Sequence, residues 1–201
     1  MIKRYKLPTR AFFTYASHHA RALAWKGVKR WVQRRFPAVP TLSTTELAHW
    51  LNTGALDTGA LDTGTPAAET TATETTAAET TDRPIVIDVR NPKEYAVSHL
   101  PGAYRAKTVG EVKAAGISQD VPVVVYCSVG YRSGRLGQAL AAAGYSVMNL
   151  EGSIFQWANE GRSLVTTKGG QTLPTREVHP YSEIWGLLLD PAQSTRPDET
   201  T

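Results

Sequence analysis

The sequence predicts an α/β fold: a mostly parallel sheet with helices on both faces. Three observations point there. "PIVIDV" (84–89) and "VPVVVY" (121–126) are continuous apolar runs rather than alternating ones, as strands buried on both sides require. Helix-like segments follow such runs, so strands and helices alternate along the chain. A hydrophobic content of 41% is enough for one core in 201 residues, and 16 Gly with 12 Pro supply the turns.

The first element is an arm, residues 1–40. Residues 1–36 hold ten Lys/Arg and no acid, whereas the rest of the chain holds 12 basic and 18 acidic residues. The net +4 therefore belongs to the arm, not to the body. From Ala16 to Phe36 the spacing of Trp25, Val28, Val32 and Phe36, with Trp31 beside them, predicts a helix. Lys26, Lys29, Arg30, Arg34 and Arg35 form its polar side, and Pro37 and Pro40 stop it. Three readings stay open. The arm docks on the domain, which is preferred, or residues 16–36 rest weakly on an anionic membrane surface, or the arm is a cleaved presequence. An acidic body would repel phosphates, so no nucleic-acid partner is expected. No apolar run reaches the roughly 18 residues of a membrane span, and Arg21, Lys26, Lys29 and Arg30 interrupt any signal-peptide core. A cytoplasmic location is expected, with a membrane-surface or organellar one as alternatives.

The domain proper is expected over 41–165. "TLSTTELAHWL" (41–51) is a short helix, with Ser43 as cap and Glu46 reaching back in a capping box. Residues 53–83 interrupt the domain: "TGALD" occurs twice, followed by the pentamers "AAETT", "ATETT" and "AAETT". Such a composition cannot bury enough surface to offset chain ordering, so a disordered insertion is expected. After the 84–89 strand, Asn91, Pro92 and Glu94 start a helix as cap, first-turn residue and reciprocal acceptor. "SHLPGA" (98–103) is a loop. The 121–126 strand leads to a helix over 133–144 that Gly144 ends. "YSVMNL" (145–150) is a third strand, and "GSIFQWANEG" (152–161) a last helix capped by Ser153. The extension, 166–201, carries an apolar segment at 181–189, with Tyr181, Ile184, Trp185, Leu187, Leu188 and Leu189. Its apolarity predicts packing against Trp25 and Trp31 of the arm.

Cys127 is the lone cysteine, so no internal disulfide exists. It stands just past a strand, where α/β sheets bind their ligands, and ahead of a helix start. A curl through Gly130 would turn the backbone N–H groups of 127–133 inward as an anion nest. With Arg132 and the helix N-terminus close by, the thiol pKa should fall below its free value of about 8.5. Cys127 is the predicted nucleophile, and Ser128, Val129, Gly130, Tyr131, Arg132 and Ser133 the substrate-binding loop.

"CSVGYRS", together with "IDVRNPKEY", "SHLPGA" and "LEGSIFQW", resembles the rhodanese domain of the single-domain sulfurtransferase type. The resemblance implies a doubly wound five-stranded sheet. It implies a ping-pong reaction in which Cys127 takes sulfane sulfur from a small donor such as thiosulfate, and a thiol or cyanide acceptor removes it. No cofactor is implied and no metal is expected, since His18 and His19 lack cysteine or spaced carboxylate partners. Arg at the fifth position after the cysteine matches the sulfurtransferase loop, while the related phosphatases use one residue more; a phosphatase-like activity is the weaker alternative. A non-catalytic binding or regulatory module is the stronger one. Val129 stands where some thiosulfate-specific members place a basic residue, which leaves the donor open. Asp88, Arg90 and Glu94 are supporting residues, the first two as a structural pair and Glu94 as a helix cap. His99 is read as a loop-shaping residue rather than a base for Cys127.

Overall fold

The structure, a computed structural model, describes residues 10–54 and 83–194. The elements are α1 (Arg10–Arg35), β1 (Thr41–Leu42), α2 (Thr44–Thr53), β2 (Ile85–Asp88), α3 (Pro92–Val97), β3 (Tyr104–Arg105), α4 (Val109–Ala114), β4 (Val123–Tyr126), α5 (Tyr131–Ala142), β5 (Val147–Leu150), α6 (Ser153–Asn159), β6 (Leu164–Lys168), β7 (Gln171–Thr175) and α7 (Glu183–Gly186). Five strands form a wholly parallel sheet in the order β1-β5-β4-β2-β3. The reversal of direction between β2 and β4, near the middle of the sheet, makes the fold doubly wound.

Strand period sorts the core into two layers. Val124 and Tyr126 of β4 face Leu47 and Trp50 of α2 and Ile154, Phe155 and Trp157 of α6. Val123 and Val125 face Val112 of α4 and Leu136 and Leu140 of α5. All four β4 residues are fully buried, which is why the run shows no polar alternation.

Several expectations are refined. The short β1 occupies Thr41–Leu42, where the sequence suggests the start of a helix. The Ser43–Glu46 capping box then opens α2. The insertion expected from 53 to 83 begins later than that, since α2 runs through Thr53 and Gly54 ends it at φ 75°; residues 55–82 lie outside the described residues. Ser153 does not cap α6. Gly152 holds the cap position at φ 68°, and Ser153 itself sits at φ 52°, for a reason found in the site below. Beyond α6, β6 and β7 form an antiparallel hairpin tied to the domain by a bridge between Val165 and His99.

The arm lies on the domain. Val32, Phe36 and Val39 make a buried cluster with Val28 and Tyr131, Lys29 pairs with Glu151 at 2.8 Å, and Trp25 Nε1 donates to the Leu188 carbonyl at 3.2 Å. Lys26, Arg30 and Arg34 point to solvent. Two glycines of α5 allow this approach: a Cβ on Gly134 would run into the Phe36 ring, and one on Gly137 would lie 2.9 Å from Val39 Cγ1. Gly134→Ala should therefore lower stability by about 1–2 kcal/mol, overpacking outweighing the gain in helix propensity. Paired with Phe36→Ala, its further cost should largely vanish, as a double-mutant cycle of melting temperatures would read.

Candidate active site

Parallel β4 delivers Cys127 to the carboxyl edge of the sheet, where its side chain is buried, at 1% exposure. The chain then curls through Gly130, at φ 106°, into α5. Side chains are unwelcome in that backbone conformation, so glycine is required here.

The curl is held by its carbonyls. Ile154 N–H donates to Cys127 O and Phe155 N–H to Ser128 O, both at 3.2 Å, from the start of α6. Asn149 Nδ2 donates to Gly130 O at 2.9 Å from the end of β5. Gly130 N–H donates to Cys127 Sγ at 3.1 Å. Ser153 explains its strained backbone: its Oγ accepts from Cys127 N–H and donates to Leu150 O, both at 3.2 Å, bracing the cysteine from below.

Burial pushes the Cys127 thiol pKa up, but the Arg132 charge and the nearby polar groups of Ser133 and Gly130 outweigh it and hold the thiol below its ordinary value. The Ser133 hydroxyl oxygen is buried beside this loop and has no hydrogen-bond partner among the described residues. Arg132 is itself fixed by Glu94. Its two terminal nitrogens reach Oε2 at 2.8 Å and Oε1 at 2.7 Å, a bidentate pair, and Nη2 also reaches Ser128 Oγ at 2.8 Å. Burial favours the neutral carboxyl of Glu94, yet Arg132 keeps its pKa below the usual range. Glu94 is thus more than the helix cap its spacing suggests: Oε2 also accepts the Asn91 N–H at 3.1 Å, so one carboxylate starts α3 and orients the loop arginine 38 residues on.

The other predicted residues divide. Asp88 and Arg90 form a fully buried salt bridge at 2.7 Å, with Arg90 also donating to the Ser98 carbonyl and lying 5.7 Å from the Tyr126 ring. Their contacts tie β2 to the 98–103 loop. His99 stacks on Tyr95 with ring centres 3.8 Å apart, and its Nδ1 lies 3.1 Å from the Tyr95 carbonyl. Val129 is buried and apolar, in the core layer of α2 and α6. Tyr131 stacks on Trp31 of the arm at 4.8 Å and meets the edge of Phe36.

A cavity of about 120 Å³ opens on the cysteine, lined by Trp31, Cys127, Ser128, Val129, Tyr131, Arg132, Tyr181 and Trp185. Trp31, Tyr181 and Trp185 come from outside the expected domain, and no motif marks them; their shared apolarity was the available signal. Tyr181 spreads its ring over the Arg132 guanidinium at 4.4 Å.

Comparison with known proteins places this geometry. The model of the rhodanese-like domain matches residues 71–160. A sulfurtransferase of Allochromatium vinosum is 33% identical over 87 residues, covering 42% of this chain and 81% of the relative. A probable adenylyltransferase/sulfurtransferase of Mycobacterium tuberculosis is 34% identical over 79 residues, but these cover 37% of this chain and only 20% of that protein. The crystal structure of a rhodanese-related protein from Thermoplasma volcanium aligns at TM-score 0.44 and 18% identity, over 64% of this chain and 99% of its own. With a cysteine loop between β4 and α5 and a relative matched over most of its length, the chain belongs to the rhodanese-like domain family.

Proposed function

We propose that the protein is a sulfurtransferase that carries sulfane sulfur on Cys127. The observation that supports this most directly is a buried sulfur that accepts the Gly130 N–H at 3.1 Å and lies in the field of the Arg132 charge, with its pKa held down. These groups stabilise a thiolate, and they equally stabilise the terminal anion of a persulfide.

With thiosulfate, the Cys127 thiolate attacks the outer sulfur. The Sγ–S bond forms as the S–S bond of the donor breaks, and sulfite leaves with the bonding pair. An acceptor thiolate or cyanide then attacks the terminal sulfur, and Cys127 departs as thiolate. No net electron acceptor is needed, and every proton exchanged is a thiol proton. The amides provide the charge stabilisation, so the reading calls for no cofactor.

Intact mass after incubation with thiosulfate tests it: one sulfur atom is gained by the native chain and none by Cys127→Ser. No gain in the native chain with thiosulfate or with an organic sulfane-sulfur donor would overturn the proposal. Phosphate released from an aryl phosphate would instead favour phosphatase-like chemistry. The single-turnover loading rate should rise with pH as the thiol ionises and level off, with its inflection below the free-thiol value of about 8.5. Stopped-flow measurement across pH reads that inflection directly.

A further inference from the structure

We propose that the arm and the C-terminal extension together form an aromatic specificity pocket over Cys127, selecting an organic sulfane-sulfur donor with one compact apolar or aryl group in preference to thiosulfate. The inference rests on the transfer reading above and names the substrate class of that same site.

Three observations carry it. The first is composition: besides the loop itself, the walls are Trp31 from α1 and Tyr181 and Trp185 from the extension, with Val129 and Tyr131 completing an apolar surface. The second is charge. Arg132 is the cation among these lining residues, and both its terminal nitrogens are already on the Glu94 carboxylate. A dianion entering the cavity would shed water and meet no unpaired positive side chain there. A donor with a single charge on its sulfane sulfur needs only the amides around Cys127. The third is size. At about 120 Å³ the cavity is somewhat smaller than the roughly 150 Å³ closed apolar cavity that admits benzene, so it takes one compact group, a short alkyl chain or a single ring with one edge left at the open mouth.

The extension is held over the loop at a conformational cost. Tyr181 has φ 63°, a left-handed backbone that a tyrosine rarely adopts. Its N–H donates to His179 Nδ1 at 3.0 Å, and its ring covers Arg132. A larger groove of about 460 Å³, on the Lys107 and Arg135 side of Arg132, is cationic, but Cys127 does not line it.

The chemistry balances with a thiosulfonate, in which a carbon group replaces one charged oxygen of thiosulfate. The Cys127 thiolate attacks the sulfane sulfur, the Sγ–S bond forms, and the donor S–S bond breaks. A sulfinate leaves with the electron pair, so no proton or redox partner enters.

The test uses the full chain with benzenethiosulfonate and thiosulfate as alternative donors, and reads kcat/KM for each. Taking the ratio of the two donors and comparing it between variants removes their intrinsic reactivities. In Trp31→Ala the benzenethiosulfonate-to-thiosulfate ratio should fall at least tenfold, and Trp31→Phe should keep most of it. Tyr181→Ala, at a residue 47% exposed, gives the same reading should the first variant fail to fold. A ratio within twofold of the native value in both alanine variants would overturn the pocket while leaving sulfur transfer standing. Failure of both donors to load Cys127 would remove the transfer reading, and this inference with it.

Discussion

Replacing Arg132 by alanine is expected to slow sulfur loading of Cys127 by about 100- to 1,000-fold, the range seen when one preorganised donor to a reacting anion is lost. Two effects add. The sulfur loses the charge that does most to hold its pKa down, so less of it is ionised at neutral pH. Glu94, with a side chain only 3% exposed, is left as an anion without its bidentate partner. The inflection of the loading rate should therefore move to higher pH than in the native chain. Arg132→Lys restores charge but cannot span both carboxylate oxygens, so partial recovery is expected. Adding Glu94→Gln to Arg132→Ala should restore stability without restoring rate, which separates the structural pair from its effect on the sulfur. The sign of the pH effect on stability follows from the depressed Glu94 carboxyl. Its contribution is fully present above the unfolded value of about 4.3 and is lost as pH falls through the lower folded value. Loading kinetics and urea unfolding, each followed against pH, read the two effects independently.

Asp88→Ala should destabilise the domain by about 3–5 kcal/mol, the cost of leaving a buried charge without its partner. Arg90 is fully buried, one of its terminal nitrogens, Nη1, already lacks a partner, and the others are spent on Asp88 and the Ser98 carbonyl. Without Asp88 the guanidinium keeps the Ser98 carbonyl and the field of Glu94 but loses the carboxylate that it is hydrogen-bonded to. Asp88→Leu combined with Arg90→Met, which empties the site of charge, should lose much less. Equal losses in the single and double variants, measured by urea unfolding, would contradict this assignment.

The parts legible in the sequence are those whose cause is local. β2 and β4 can be read because burial on both faces removes all polar alternation from "PIVIDV" and "VPVVVY". The Ser43–Glu46 box and the φ of Gly130 are likewise decided within a few residues. β1 and β3 are two residues long and owe their state to hydrogen bonds with β5 and β2, which leave no periodic trace. Gly134 and Gly137 look out of place in a helix until Phe36 and Val39, a hundred residues earlier, are seen against them. Glu94 shows its cap spacing but not Arg132, because a contact 38 residues away has no local signature. Ser153 is misread for a related reason: its hydroxyl serves the Cys127 backbone 26 residues upstream rather than its own helix. Trp31, Tyr181 and Trp185 read as apolar residues seeking cover, and only the folded chain places them around the sulfur.

The hydrogen bond from Trp25 to the Leu188 carbonyl joins residues 163 positions apart and spans the entire sheet in sequence. During synthesis, one half of the shield emerges before the sheet and the other half after it. The cysteine loop can therefore be complete while its roof is still missing. A nascent chain paused in that interval would hold its cysteine loop without the covering side chains of Trp31, Tyr181 and Trp185, which come together only once the C-terminal extension has been made.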